Sequence, residues 1–512
     1  MATSSKDSFG DRKYAHLLDT DHLRSDLKGR SVRGGMATMA GQGAKFLLNV
    51  GSTMALARLL APADFGLIAM VAPITGFIGM FQDLGLSMAT IQRKRITHEQ
   101  VSGLFWINVA ASLILSALCI ALAPAIVWFY GDPRLYGVSI AMGSLFVLSG
   151  LASQHIAILR RQMRFSTLAL LEISSFAAGV VSAVAAAAMG LGYWSLVFMP
   201  AGAGLVKMLA AWRCSRWVPG LFRRGVGFRS LLAFGGGITG FNVVNHLSRN
   251  ADNILIGKFL GAGPLGLYSR AYQLFMLPIG QIRDPMNAVA MPVLSSLLDQ
   301  PKRYSKYYCR MIEILASLAM PLTVYCAIEA DFLIRLLLGS QWMGAVAVFR
   351  ILAIAGLIQC IASTRGLVLL SSGYSGRYFW WGLFNAILCV GAFAAGLPFG
   401  IEGVAACYAA ANYLILVPSL YYCFYKTPLS VSAFFRALAP PLLNSALAGL
   451  LLFALRLVWR SDGVVSHLAF GVLFAFAYGA LSWRRPLVRE TCAAAFRSVP
   501  IDSIKNIAAY VA

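Results

Sequence analysis

Polar side chains recur at helical spacing inside two long apolar stretches of this 512-residue chain. In the first stretch they follow one another at intervals of 3, 4 and 3 residues and share one face of a helix: Gln42, Lys45, Asn49 and Ser52. The same pattern returns 200 residues later in Asn242, Asn245, Arg249 and Asp252. We name these the first and the second polar stripe. Because lysine and arginine form charge-assisted hydrogen bonds with phosphate, each stripe predicts a surface that can attract an anionic group.

Four basic residues inside apolar stretches are the candidates for a cationic cavity. A charge at the centre of a membrane-spanning helix costs about 2.5–3.5 kcal/mol on insertion scales, so it normally faces a partner, a cavity or water. Lys45 has no acidic residue three or four positions away, whereas Arg249 has Asp252 three positions on, and a local ion pair is the simpler alternative there. For Arg270 and Arg365 the alternative is a bond to a carbonyl or hydroxyl of another helix. The predicted substrate-binding set is Lys45, Asn49, Asn245, Arg249, Arg270 and Arg365.

Two carboxylates inside apolar stretches are candidates for coupling transport to an ion. Glu172 has no basic residue four positions away, and Asp252 lies in the second polar stripe. A carboxyl group in surroundings of low polarity can exchange protons, so either residue could carry a coupling proton or a sodium ion. The alternative for each is a structural acid whose hydrogen bonds are satisfied within the protein.

Motifs of enzymes and of cofactor sites are missing from the sequence. It contains no Walker A loop, no HExxH and no GxSxG, and Gly235–Gly237 lack the Lys-Ser/Thr that a phosphate-binding loop requires. The nine cysteines are scattered without a CxxC pair, which argues against a metal site or a disulfide framework. We therefore expect a transporter without cofactor or metal, and energy from an ion gradient or the membrane potential.

The elements that position these residues are membrane-spanning helices. Hydrophobic residues make up 59% of the chain and charged residues 12%, whereas soluble chains average about 25% charged residues. Apolar runs long enough to cross a bilayer predict an all-α polytopic membrane protein with about fourteen spans. Arg58, Lys207 and Arg350 lie near span ends, where long side chains reach the headgroups, and are not predicted to bind substrate. The predicted spans are 34–57, 66–90, 102–128, 136–159, 167–190, 193–212, 230–256, 265–291, 307–328, 345–371, 378–398, 401–425, 432–455 and 464–483.

The distribution of basic residues predicts the orientation. One set of loops and tails holds thirty Lys and Arg residues, and the opposite set holds only Arg134, Lys258, Arg335, Arg456 and Arg460. Basic residues collect in cytoplasmic loops, so both termini are predicted to be cytoplasmic. This bias accounts for the net charge of +23 and requires no nucleic-acid partner. The polar residues 1–33 lack the apolar core of a signal peptide and are predicted to be a cytoplasmic tail, as is 484–512.

An internal repeat divides the predicted spans. Residues 58–67 and 258–267 align without gaps at an offset of 200, with a basic residue, Leu, Gly and Leu at matching positions. Each lies between the first and second helix of a six-helix unit, at 34–212 and 230–425, with a basic linker at 213–229 and two extra helices at 426–483. Units of six helices insert in the same direction, which predicts parallel bundles around a central cavity. The alternative is chance similarity between two Gly- and Leu-rich turns.

Three segments resemble a known family: residues 57–66, residues 83–94, and Asn245–Asp252 with Ile256, Gly257, Gly266 and Tyr268. They are similar to Wzx-type polysaccharide flippases of the multidrug/oligosaccharidyl-lipid/polysaccharide (MOP) exporter superfamily. The resemblance implies two bundles with a V-shaped cavity, in a bacterial inner membrane. It also implies an undecaprenyl-diphosphate-linked repeat unit as cargo, flipped to the periplasmic leaflet for exopolysaccharide or lipopolysaccharide synthesis, and contact with polymerase and export machinery. By position, Lys45 and Arg249 fall on cavity-facing helices of this family.

Two other functions remain open from the sequence. A drug/cation antiporter of the same superfamily carries cationic cargo and should favour acids in its cavity. A membrane sugar polymerase or ligase should need a substantial periplasmic loop with acid and base groups, but residues 329–345 offer only Glu329, Asp331 and Arg335.

Overall fold

The computed structural model describes residues 14, 17–19, 27–83, 85–93, 96–222, 229–459, 463–483, 485 and 489, with the backbone alone at 27–33 and 229–244. All regular structure in these residues is helical. Short 3-10 helices cover Ser340–Ala345 and Leu397–Phe399. The α-helices are α1 (Leu27–Leu59), α2 (Pro62–Gly79), α3 (Leu86–Gln92), α4 (His98–Tyr130), α5 (Arg134–Arg161), α6 (Phe165–Ala188), α7 (Trp194–Ser215), α8 (Arg229–Leu260), α9 (Ala262–Ser296), α10 (Pro301–Ile328), α11 (Ala330–Leu337), α12 (Val346–Ala362), α13 (Arg365–Ser371), α14 (Ser375–Gly396), α15 (Gly400–Phe424), α16 (Val431–Val458) and α17 (Val464–Trp483).

A helix or a pair of helices covers each predicted span. Within the described residues, ten helical segments are long and apolar enough to cross a membrane. The prediction of an all-α protein that crosses the membrane repeatedly is therefore confirmed, while the count of about fourteen and the two six-helix units stay predictions. Most of the tails at 1–33 and 484–512 and part of the linker at 213–229 lie outside the described residues. Helix α1 begins at Leu27, so its first residues fall in the segment predicted as the N-terminal tail.

Two of the predicted spans are interrupted. Helix α2 ends at Gly79 and α3 begins at Leu86, and the Asp83 carboxylate accepts hydrogen bonds from the backbone N–H and the hydroxyl of Ser87 at 3.1 and 2.6 Å. It thereby satisfies a donor at the start of α3 that has no partner within the helix. A second break, at Ser363 and Thr364, separates α12 from α13.

The chain divides into two units. Unit 1 holds the described parts of Met1–Arg270, Arg335–Gly344 and Gly382–Ile401. In it, α4 packs along α5 and α6 along α7, as their short connections require, and α1 lies against α6. Unit 1 is therefore built from two helical hairpins, each of two consecutive helices, and α1 packs against the second hairpin.

Unit 2 holds the described parts of Ala271–Ile334, Ala345–Trp381 and Glu402–Ala512. Helix α10 packs against α12 and α16. The Tyr308 hydroxyl lies 3.0 Å from that of Thr364 within the core. Near the end of α10, Glu329 is fully buried, 2.7 Å from Nδ1 of His467 and 3.4 Å from Nε of Arg456. This cluster ties the two C-terminal helices α16 and α17 to the rest of unit 2.

Candidate functional site

The first polar stripe carries an ion pair between two helices. Nζ of Lys45 on α1 donates to Oε2 of Glu172 on α6 at 3.0 Å, and the two side chains are 39% and 38% exposed. The pair forms because α1 and α6 pack side by side. Each residue lacks an opposite charge on its own helix, so the two charges that were unmatched in the sequence are matched by each other.

Further basic groups surround this pair. Glu172 also interacts electrostatically with Lys207 on α7 and with Arg160 at the end of α5. Neither the Lys207 nor the Arg160 side chain makes a hydrogen bond or an ion pair with any described residue. Their donors are therefore available for a ligand.

Lys207 and Arg160 also line a cavity of about 320 Å³ within unit 1. The cavity lies beside the break between α2 and α3, and its wall includes Gln82, Asp83 and Ser153. The charged groups of the wall are the basic Lys207 and Arg160 and the acidic Asp83. Asp83 already accepts hydrogen bonds from Ser87, and the nearby Glu172 accepts one from Lys45. The charged groups of the cavity that remain free to bind a ligand are therefore hydrogen-bond donors, which favour an anion.

The sequence prediction missed Lys207 and Arg160. Lys207 lies near a span end and was expected to reach the headgroups, and Arg160 counted only as one of many cytoplasmic basic residues. One signal was present, since Lys207 is a lone basic residue inside an apolar run. Its proximity to Glu172 depends on how α6 and α7 pack.

The rest of the first polar stripe changes in exposure along α1. Gln42 is exposed, Asn49 is half-buried, and Ser52 is buried and donates to the Asn49 carbonyl at 2.9 Å. The amide of Asn49 thus lies between an open and a packed part of the helix.

The second polar stripe, on α8, follows the same gradient with different partners. Asn245 and Arg249 are exposed, Asp252 is buried, and the side chain of Asn242 lies outside the described residues. Asp252 accepts from the Tyr268 hydroxyl at 3.2 Å and from the Asn253 N–H at 2.8 Å. Among the described residues no ion pair joins Arg249 to Asp252. The exposed guanidinium of Arg249 is therefore not held by the local pair that the spacing allowed.

Arg270 lies against an aromatic side chain. Its guanidinium carbon is 4.2 Å from the centroid of the Phe65 ring, and that ring contacts the edge of Trp342 at 5.2 Å. A cation over a ring face is attracted by the ring quadrupole. Arg270 is thus placed in the packed surroundings of the turn between α1 and α2.

Arg365, in unit 2, is held by neutral groups of its own surroundings. It is 7% exposed, its Nε donates to the Ala362 carbonyl at 2.7 Å, and its guanidinium also bonds to the Ser419 hydroxyl. The Trp381 ring lies 5.4 Å from its guanidinium carbon. These contacts are those of the alternative considered for this residue, a bond between helices. Within the described residues, no three His, Cys, Asp or Glu side chains are grouped to hold a metal ion.

Comparison with known proteins identifies the family. A family model described as "Polysaccharide biosynthesis protein" matches residues 55–347. The teichuronic acid biosynthesis protein TuaB of Bacillus subtilis is 27% identical over 428 residues, covering 81% of this chain and 86% of TuaB. The succinoglycan biosynthesis transport protein ExoT of Rhizobium meliloti is 26% identical over 341 residues, covering 67% and 69%. The lipopolysaccharide biosynthesis protein WzxC of Escherichia coli is 22% identical over 347 residues, covering 67% and 70%.

Solved structures show the fold. The lipid II flippase MurJ in an inward closed conformation superposes with a TM-score of 0.69 at 13% identity, covering 88% of this chain and 98% of MurJ. An inward-facing MATE transporter of the MOP superfamily superposes with a TM-score of 0.60 at 14% identity, covering 77% and 96%. The predicted resemblance to Wzx-type members of the MOP superfamily is confirmed. Since the family model matches more than half of its residues, the chain belongs to the polysaccharide biosynthesis protein family and has the fold of MOP-superfamily transporters.

Proposed function

We propose that this protein is a transporter that flips lipid-linked oligosaccharides across a bacterial inner membrane for exopolysaccharide or lipopolysaccharide synthesis. The cargo is a repeat unit on undecaprenyl diphosphate, moved from the cytoplasmic to the periplasmic leaflet, and both termini are cytoplasmic. Family membership and the names of TuaB, ExoT and WzxC support a role in polysaccharide assembly. Contact with polymerase or export machinery is a further part of this proposal.

One observation carries the proposed cargo: two basic side chains with unused donors, Lys207 and Arg160, line a cavity next to the ion pair of Lys45 and Glu172. Charged groups in apolar spans avoid lipid and face water, a partner or a ligand. Phosphate oxygens accept charge-assisted hydrogen bonds from such groups. A diphosphate therefore matches the charge, the donors and the position of the site near the end of α5, where headgroups of the cytoplasmic leaflet would lie.

The arrangement suggests an order of events. The diphosphate first meets Arg160 and Lys207 at the level of the headgroups and then reaches Lys45, exchanging the Glu172 carboxylate for a phosphate oxygen. Asn49 on the same stripe, and Asn245 and Arg249 on the second stripe, offer amide and guanidinium donors to the sugar and phosphate. Opening toward one side of the membrane and then the other completes transport by alternating access.

Ion coupling fits the same pair of residues. If a proton binds Glu172, its ion pair with Lys45 is broken and Lys45 becomes available to the anionic cargo. Asp252 is the second candidate, for a proton or a sodium ion, because it is buried in the second polar stripe. A cation antiporter is disfavoured, since the basic groups at the cavity outnumber the acidic ones and would repel a cationic drug.

The test is complementation of a strain that lacks the gene. Lys207→Ala, Arg160→Ala and Lys45→Ala are each expected to reduce surface polysaccharide several-fold and to make lipid-linked oligosaccharide accumulate in the cytoplasmic leaflet, at unchanged protein level. The readouts are polysaccharide yield and mass spectrometry of the accumulated lipid. The exposed Arg303→Ala, on α10, is the control and should support normal export. Normal export by all three cavity variants would refute the proposed site.

A further inference from the structure

The two repeated turns of the sequence lie directly against each other in unit 1. A Cβ atom built on Gly66 would lie 1.8 Å from the Ala262 carbonyl oxygen, and one built on Gly266 would lie 1.8 Å from the Pro62 carbonyl oxygen. These positions are equivalent in the repeat, so the contact has two-fold symmetry. We name residues 58–67 and 258–267, taken together, the crossed turns. Their backbones meet at a distance that only glycine permits at these two positions.

The basic residues that open the two turns make similar contacts. A guanidinium nitrogen of Arg58 donates to the Leu336 carbonyl at 3.0 Å, and Nζ of Lys258 donates to the Phe129 carbonyl and lies 5.1 Å from the centroid of the Phe129 ring. Both acceptors are neutral, and both basic side chains are exposed. Bonds of this kind exchange readily with water, so they can be broken and remade.

An apolar layer surrounds the glycine contact. Phe65 and Leu265, at equivalent positions, are 2% and 0% exposed. Phe65 packs between the Arg270 guanidinium and the Trp342 ring, and the Trp342 indole N–H donates to the Ala57 carbonyl at 2.8 Å, at the end of α1. The crossed turns therefore exclude water around a contact made largely by backbone.

We propose that the crossed turns form a reversible seal on the face of the membrane opposite the basic loops. Gly66 and Gly266 set the distance between the two backbones in the closed state. The hydrogen bonds of Arg58 and Lys258 to main-chain carbonyls stabilise that state. The seal consists of backbone contact, a small apolar layer and hydrogen bonds to neutral carbonyls, and among the described residues no ion pair holds it closed. It can therefore open and close in each transport cycle. This proposal rests on the proposed function in one respect, namely that transport requires the seal to open.

Cross-linking of positions 258 and 129 tests whether transport requires the crossed turns to separate. In a functional variant without native cysteines, Lys258→Cys and Phe129→Cys are combined and treated with a bis-maleimide whose spacer is cleaved by reduction. The expected result is a cross-link in high yield, loss of polysaccharide export, and recovery of export on reduction. A cross-link that forms while export continues, or no cross-link at all, would overturn the seal. The yield of cross-link does not depend on the cargo, so a wrong cargo and a wrong seal are distinguished.

Substitution of the glycines tests the closed distance. Gly66→Ala and Gly266→Ala force the backbones apart, and we expect a lower yield of the same cross-link and at least about tenfold less export. Gly263→Ala is the matched control, since a Cβ there meets nothing within 4 Å. If Gly66→Ala lowers the protein level, Arg58→Ala replaces it, because this exposed side chain can be removed without a clash, and it should also lower the yield. Full cross-linking and full export in both Gly66→Ala and Arg58→Ala would overturn the proposal.

Discussion

The crossed turns and the polar stripes both recur in the sequence at an offset of 200 residues, yet only the turns make matching contacts. At the turns, Gly66 and Gly266 make equivalent contacts, and Arg58 and Lys258 each donate to a main-chain carbonyl. In the stripes, Lys45 is bound to Glu172, whereas the equivalent Asn245 is exposed and the charge of the second stripe lies one turn further on, at Arg249.

The difference follows from what each region touches. In the crossed turns each copy is the partner of the other, so a change in one must suit both. The stripes contact different helices, and each can change alone. Symmetry is therefore expected where the two segments pack against each other, and asymmetry where each stripe packs against different helices.

Reversing the charge of Lys45 in the first polar stripe should have the largest effect on export. Lys45→Glu replaces the ammonium that pairs with Glu172 by a second carboxylate in an apolar span, where like charges repel strongly. We expect export to be abolished. The exchange of both charges, Lys45→Glu with Glu172→Lys, should restore protein level but not export, because the cation no longer lies on the stripe of α1. Polysaccharide yield and immunoblots measure this, and full export by the exchanged pair would show that the ion pair is only structural.

Arg249→Ala should separate binding from stability in the second stripe. The side chain is exposed and has no ion pair to Asp252 among the described residues, so its removal should leave the melting temperature of the purified protein nearly unchanged. Export should fall several-fold. A lower melting temperature with normal export would assign Arg249 a structural role.

Arg365→Ala should show the opposite behaviour. This buried residue bonds to Ala362 and Ser419, and hydrogen bonds of a charged group contribute about 1.5–3 kcal/mol to stability. We expect a clear decrease in the melting temperature in detergent, with normal export per molecule of folded protein. Loss of export at an unchanged melting temperature would return Arg365 to the predicted substrate-binding set.

Trp342→Phe should have the smallest effect. It removes the indole bond to the Ala57 carbonyl, about 0.5–1.5 kcal/mol, but keeps an aromatic ring beside Phe65. We expect a slightly lower melting temperature and a small rise in maleimide labelling of a cysteine placed in the crossed turns. Unchanged labelling would indicate that this residue does not contribute to the seal.

Much of the fold could be predicted because a membrane-spanning helix is determined by residues that are close together in the sequence. An apolar run of sufficient length implies a helix, since lipid offers no partner for backbone N–H and C=O groups. The interruptions between α2 and α3 and at 363–364 are not predicted because each is short and lies between two apolar helices. The side chain that caps the first break, Asp83, is visible only as one acid among apolar residues.

The candidate site was predicted in part. The sequence predicts a role for Lys45 because its helix carries no opposite charge, and a residue that pairs with another helix has this pattern. Arg365 also lacks an opposite charge nearby in the sequence, but its partners are neutral groups, which a pattern of charges does not reveal. The sequence does not predict a binding role for Lys207, because its distance from a span end does not show which residues of the neighbouring helix it approaches.

The sequence by itself determined the membrane class, the helical spans, the distribution of positive charge and the repeated turn, because each is a property of residues close together in the chain or of their count. The tertiary structure decided which charges meet. Lys45 and Glu172 are 127 residues apart, and Arg58 and Leu336 are 278 apart. Contacts of this kind depend on which helices pack together and at what rotation, and a helix of twenty apolar residues can pack against many neighbours. The glycines of the repeat were visible from the start, but only the packed structure shows that each makes room for the other.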